Sequence, residues 1–77
     1  MKELLEVIAR ALVSKPDEVR VTERTGEDNT IVLELSVAPE DMGKVIGKKG
    51  RIAKAIRTVV KTAAQKKDQK VFVDIVD

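Results

Sequence analysis

The 77-residue chain is predicted to adopt an α+β fold in which three helices cover one face of a three-stranded mixed sheet. Apolar residues alternate with polar ones in three short segments, which is typical of strands. They recur every three or four residues in two longer segments, which is typical of amphipathic helices. The resulting order is α-β-β-α-α-β, without repeats or linkers, so we expect one domain over residues 1–77.

The first half of the chain is predicted to contain a helix and a hairpin. Residues 2–13 place their large apolar side chains on one side of a helix, namely Leu4, Leu5, Ile8 and Leu12. Residues 19–24 and 30–37 alternate as strands do. Between them, residues 25–29 are rich in glycine, aspartate and asparagine, which favour a turn. The two strands should therefore pair antiparallel.

The second half is predicted to contain two helices and a last strand. Pro39 suits the first turn of a short helix that contains Met42, Val45 and Ile46. A loop at residues 47–50 leads to the longest helix, residues 51–67. Its expected core stripe is Ile52, Ile56, Val59 and Ala63, with Lys54, Arg57 and Lys61 on the opposite side. Residues 71–76 form the last strand, and the helical crossover should make it parallel to the second strand.

Charge is segregated along the chain. Residues 1–42 contain five lysines and arginines against ten acids, whereas residues 43–70 contain ten lysines and arginines against one acid. A basic block of this kind is typical of a surface that faces a polyanion. A solvated helix face is the other interpretation that the charge pattern alone allows.

The composition excludes several classes of function. The chain has no cysteine and no histidine, so it has no disulfide framework, no thiolate zinc site and no histidine base. We predict no catalytic residue, no metal site and no cofactor, and hence no enzyme. The N-terminus lacks a signal-peptide pattern, and no apolar run approaches the ~20 residues of a membrane span. We therefore expect a soluble protein of the cytoplasm that does not bind membranes.

The most informative segment is residues 43–51, with the sequence GKVIGKKGR. Gly47 and Gly50 bracket Lys48 and Lys49 just before the long helix. Glycine lets a partner approach the backbone closely. The free N–H groups of a helix N-terminus attract phosphate, as do the two ammonium groups. This loop is predicted to contact a phosphodiester backbone.

Residues 40–51, followed by Ala55, Ile56 and Arg57, resemble the KhpA family of small bacterial proteins with a single type II KH domain. The resemblance extends over essentially the whole chain. It implies a groove that holds about four nucleotides of single-stranded RNA. By the same resemblance, Gly47, Lys48, Lys49 and Gly50 contact the sugar-phosphate backbone, Ile46 lines the groove under the bases, and residues 30–37 form the facing wall.

Three further cations are candidate RNA contacts, namely Lys44, Arg51 and Lys54. Arg51 lies at a helix start, where a cation opposes the helix dipole, and this unfavourable choice favours a function. The resemblance also implies RNA-chaperone activity, a larger multidomain KH-containing partner, and a role in cell-length and cell-wall regulation. Ala53 stands where many KH motifs carry a large aliphatic residue, which predicts a shallower groove floor.

Two other functions remain open from the sequence. A helix-turn-helix could place residues 51–61 in the major groove of duplex DNA. A dimerisation or adaptor module, including a homodimer, would supply the core that so short a chain lacks. Phe72 is the single aromatic residue and is expected in the core or in an interface. A lone aromatic cannot build the multi-residue stacking surface of other RNA-binding modules.

Overall fold

In the computed structural model, which describes residues 1–76, three helices and three strands follow the predicted order. The helices are α1 (Lys2–Leu12), α2 (Met42–Ile46) and α3 (Arg51–Gln65), and the strands are β1 (Arg20–Thr25), β2 (Ile31–Ser36) and β3 (Val71–Ile75). Short 3₁₀ turns connect them at Pro16–Glu18, Glu27–Asn29, Pro39–Asp41 and Lys48–Gly50. The predicted α+β class is confirmed.

The strands form one mixed sheet in the order β1-β2-β3. β1 and β2 are antiparallel, with Val21 opposite Leu35, and β2 and β3 are parallel, with Leu33 opposite Val73. β2 is therefore central and both of its edges are paired. Residues 30–37 were expected to form the wall of the RNA groove that faces the helices, and this expectation is corrected. Both edges of β2 are paired, so the strand that offers a free edge beside α3 is β3.

The core lies between the sheet and the helices. Alternate strand residues point inward, and Leu33, Leu35 and Val73 are almost fully buried. Leu5 of α1 and Val45 of α2 are buried against them. Burial of each such side chain contributes about 1.5–3 kcal/mol to the free energy of folding, so these contacts fix α1 and α2 on the sheet.

The buried face of α3 differs from the predicted stripe. Its buried residues are Ala53, Ile56, Val60 and Ala64, which lie about 75° around the helix axis from the predicted set. The two alanines let the helix lie close to the sheet, whereas Val59 is 48% exposed. The prediction that Lys54, Arg57 and Lys61 lie opposite the core is therefore wrong. Arg57 and Lys61 lie on the flank next to β3, where Arg57 donates to the Val73 carbonyl and Lys61 lines a pocket with Val71.

The other flank of α3 and the neighbouring side of α1 leave apolar residues uncovered. Leu12, which the sequence places on the apolar side of the first helix, is 37% exposed. Together these residues line a shallow groove of about 390 Å³, formed by Ile8, Leu12, Arg51, Ile52, Ala55, Ile56 and Val59. Of the helices in residues 1–76, none has the length and apolar character needed to cross a bilayer.

Candidate nucleic-acid interface

Two glycines set the shape of the loop between α2 and α3. Gly47 has φ 77° and ψ 174°, a region of backbone conformation that only glycine readily adopts. A Cβ atom built on Gly47 would lie 2.5 Å from Cγ1 of Ile52, so there is no room for a side chain. Gly50 is left-handed, with φ 73° and ψ 15°, and its built Cβ meets nothing within 4 Å. Gly47 is therefore required by the fold, whereas the left-handed backbone of Gly50 favours glycine without excluding a side chain.

Lys48 and Lys49 are exposed at the tip of this loop. The N–H of Gly50 donates to the carbonyl of Gly47 at 3.1 Å and closes the turn. Lys49 has φ 58° and ψ 26°, a left-handed conformation that costs a residue other than glycine on the order of 1–3 kcal/mol. A lysine held at this cost points to a use for its side chain.

The first turn of α3 adds positive charge beside the loop. Arg51 begins the helix and Lys54 follows three residues later, and both are exposed. No carboxylate in residues 1–76 lies within ion-pair distance of Lys48, Lys49, Arg51 or Lys54. Their charge is therefore not neutralised within the described chain, and it adds to the positive end of the helix dipole. Such a surface attracts phosphate groups.

Ile46 places an apolar side chain next to these cations. It is the last residue of α2 and is 37% exposed, whereas its neighbour Val45 is fully buried. The structure thus brings an exposed aliphatic residue and a charged loop to the same surface. An aliphatic patch can pack against a base while the loop contacts its backbone.

Lys44 has a different environment from the other candidate lysines. Its Nζ lies 3.3 Å from Oδ1 of Asp41, although the side chain is half exposed. The ion pair holds the Lys44 side chain against Asp41, the N-cap residue of α2. The charge of Lys44 is thus partly neutralised within the fold.

Asp41 is a buried residue that the sequence did not identify as important for the site. Its carboxylate accepts hydrogen bonds from the Ser14 hydroxyl at 2.7 Å, from the Ser14 N–H at 3.1 Å and from the Lys15 N–H at 3.0 Å. The Ser14 hydroxyl bond is the main cause that lowers the pKa of Asp41 to about 2. These contacts tie the connection after α1 to the start of α2. Because Ser14 is 27 residues away, no local pattern could reveal them.

Two helices joined by a Gly-Lys-Lys-Gly turn, packed on a mixed sheet whose last two strands are parallel, define a KH domain of type II. The chain belongs to the KhpA/KhpB KH-domain family, whose family model matches residues 2–75. This membership confirms the resemblance seen in the sequence. It also confirms that the chain is not an enzyme, because the family is non-enzymatic.

Individual relatives support the same assignment. The chain is 67% identical over 76 residues to the RNA-binding protein KhpA of Clostridium acetobutylicum, covering 99% of this chain and 100% of that protein. It is 66% identical to the RNA-binding protein KhpA of Clostridium perfringens, with the same coverage of both chains. Among solved structures, Aquifex aeolicus Era bound to GDP.AlF4- is similar, with a TM-score of 0.65 and 21% identity over 96% of this chain and 28% of the Era chain. This last similarity shows the fold alone.

Proposed function

We propose that the chain binds single-stranded RNA through the surface formed by residues 46–51, in the cytoplasm. Gly47 and Gly50 let the sugar-phosphate backbone lie against the main chain of the loop. Lys48, Lys49 and Arg51 pair with phosphates, and Lys54 extends the positive surface by one helical turn. Ile46 packs against a base.

The observation that carries this proposal is the loop itself. Three of its four residues, Gly47, Lys49 and Gly50, have positive φ, and its two lysines are exposed. A connection that only reversed the chain direction would not need a strained lysine between the glycines. The relatives named RNA-binding protein KhpA support the choice of RNA as the ligand. Lys44 is expected to contribute less than the loop lysines, because Asp41 already pairs with it.

The test compares two charge reversals of equal size. Lys48→Asp with Lys49→Asp removes the loop charge, whereas Lys66→Asp with Lys67→Asp makes the same change beyond the far end of α3, about 20 Å along the helix. The loop variant should lose at least about ten-fold in affinity for a single-stranded oligoribonucleotide. The distal variant should change it less than about three-fold. Fluorescence anisotropy with labelled RNA measures both.

Equal losses in the two variants would show that the loop is not the binding surface. Competition between single-stranded RNA and duplex DNA completes this test. Unlabelled single-stranded RNA should displace the labelled RNA, whereas duplex DNA should not. The proposed surface uses an exposed loop to contact one flexible nucleic-acid strand, and it does not insert a protein helix into the major groove. Preferential competition by duplex DNA would support the helix-turn-helix alternative.

We further propose that the chain acts as an RNA chaperone together with a larger KH-containing protein. The family model covers both KhpA and KhpB, which supports two related KH proteins in this family. The role in cell-length and cell-wall regulation stays a proposal from the resemblance alone.

A second candidate function is self-association or partner binding through the groove between α1 and α3. The observation that favours it is the exposure of Leu12 and Val59 in a lining that is almost entirely apolar. Covering these side chains would remove apolar surface from water at roughly 25 cal/mol per Å². Most of this surface lies on the flank of α3 away from β3, but Arg51 belongs both to the groove and to the proposed RNA surface, so a bound partner and bound RNA would meet at that residue.

Sedimentation of Val59→Asp tests this second function. The wild-type chain is expected to form concentration-dependent dimers, and Val59→Asp should be monomeric. Val7→Asp is the matched control, because Val7 is 65% exposed on α1 and does not line the groove. A wild-type chain that stays monomeric at all concentrations would exclude the homodimer.

A further inference from the structure

Phe72 lies on the open face of the sheet rather than in the core. Along β3, Val73 is buried, whereas Phe72 points the other way and is 50% exposed. The parallel register places the half-buried Val32 beside it, and the antiparallel register places Arg24 next to Val32. Phe72 therefore presents one exposed aromatic ring beside an aliphatic neighbour. Of the two places expected for Phe72, the core and an interface, the structure excludes the core.

Arg57 connects this ring to α3. Its Nε donates to the carbonyl of Val73 at 3.0 Å, and its Cζ lies 5.8 Å from the centre of the Phe72 ring. The hydrogen bond fixes the guanidinium at the free edge of β3. The guanidinium lies over one face of the ring, so a base can stack on the other face of the ring or on the outer face of the guanidinium.

The pair lies next to the proposed RNA surface. Arg57 is six residues after Arg51 on α3, about 9 Å along the helix axis, and Lys54 lies halfway between them. All three side chains carry positive charge. A strand held at the loop can therefore follow Lys54 to Arg57 and reach Phe72 at the edge of the sheet.

The charges around the ring favour a base over a phosphate. Glu34 lies 3.7 Å from Arg24, and Asp74 is the register partner of Glu34 two residues from Phe72. Glu34 and Asp74 offset the positive charges of Arg24 and Arg57, so this part of the sheet attracts phosphate less strongly than the loop does. They do not disfavour the face of a neutral base.

We propose that Phe72 and Arg57 form a stacking site for one nucleobase that lies just outside the segment held by the loop. This inference rests on the proposed RNA-binding function and adds a specific contact to it. One aromatic residue suffices for one base, so the site does not require the multi-residue surface that the chain lacks.

The full-length Phe72→Leu variant tests the site with two RNAs. Leucine keeps the apolar side chain, so the fold is preserved, but it offers no ring for stacking. Affinity for a single-stranded RNA of about ten nucleotides should fall about ten-fold, whereas affinity for a tetranucleotide should not change. The slope of log affinity against log salt should stay unchanged, because stacking releases no counterions. Val7→Ala is the control and should bind both RNAs like the wild type.

Phe72→Trp provides a direct signal. It should retain the wild-type affinity, and its fluorescence should be quenched by the longer RNA and not by the tetranucleotide. Unchanged affinity of Phe72→Leu for both RNAs, or an equal loss for both, would overturn the stacking site and leave loop-mediated binding intact. A wild-type chain that binds neither RNA would overturn the proposed function itself.

Discussion

Lys49 has a left-handed backbone that glycine or asparagine would adopt at a lower cost. Its neighbour Lys48 has no such strain, although both side chains are exposed in the same loop. The two lysines therefore allow backbone strain and side-chain charge to be separated by experiment. Sites of function often retain residues that reduce stability.

Lys49→Asn is predicted to stabilise the fold and weaken RNA binding. Relief of strain should raise the free energy of unfolding by about 0.5–1 kcal/mol, and loss of the ammonium group should lower affinity about three- to five-fold. Urea denaturation and anisotropy measure the two effects. Lys48→Asn is the matched control, which should lose affinity without gaining stability. A stability gain of equal size in both variants would contradict the argument from strain.

Asp41 predicts how stability changes with pH. Its pKa falls from the ordinary value of 3.8 to about 2 in the folded chain, so its stabilising contribution is complete above about pH 4 and is lost as the pH falls through 2. Asp41→Asn should lower Tm at pH 7, because the amide presents N–H donors to the Ser14 and Lys15 donors. Between about pH 4 and pH 2, Tm of the wild type should fall more steeply than Tm of the variant. Parallel curves in that range would assign the acid sensitivity to other carboxylates.

At the scale of single residues, the sequence indicates the importance of Gly47 and Gly50 but gives no indication that Asp41 is buried. Gly47 and Gly50 were identified because their spacing around two lysines is a local pattern. The buried position of Asp41 depends on Ser14, which approaches only when the chain folds, so local sequence carried no signal of it.

α3 has three different surfaces along one helix. Its alanine-containing face packs on the sheet, one flank carries Arg57 and Lys61 next to β3, and the other carries Ile52 and Val59 next to α1. The sequence predicts the helix but places its buried face incorrectly, because Ile52 and Val59 have the spacing of a core stripe although they lie next to α1. Close packing against the sheet instead selects the small residues Ala53 and Ala64.

Ala64→Leu is predicted to destabilise the fold. Ala64 is 1% exposed, so three added carbon atoms would overpack the contact between helix and sheet and cost about 1–3 kcal/mol. Ala55→Leu makes the same chemical change at an exposed position and should alter stability by less than about 0.5 kcal/mol. Chemical denaturation of both variants measures the difference. Equal effects would show that the two faces of α3 are packed alike.

At the scale of the whole molecule, the acidic and basic segments of the chain supply different parts of the fold. The acidic first 42 residues supply α1, β1, β2 and the first residue of α2, whereas the basic segment 43–70 supplies the rest of α2, the loop and α3. The mixed sheet was predictable because a helical crossover makes β2 and β3 parallel. The free edge of β3 was not predicted, since strand order emerges only from how β2 pairs on both sides.

RNA affinity is predicted to depend steeply on salt. Four phosphate contacts from Lys48, Lys49, Arg51 and Lys54 would give a slope of log affinity against log salt of about −3. Replacing Lys48 and Lys49 together with alanine should reduce the magnitude of that slope by about 1.4. Titrations at several salt concentrations measure both values. A slope that the double variant leaves unchanged would place the phosphates elsewhere on the protein.

Within the loop, the two glycines contribute only backbone, whereas Lys48 and Lys49 contribute the charged side chains. The glycines hold the bend, while the side chains at positions 48 and 49 project into solvent and support no other part of the fold. Natural variation or protein engineering can therefore replace residues 48 and 49 and so raise or lower the affinity for a ligand. The helices and the sheet that carry the loop need not change for each new pair of side chains.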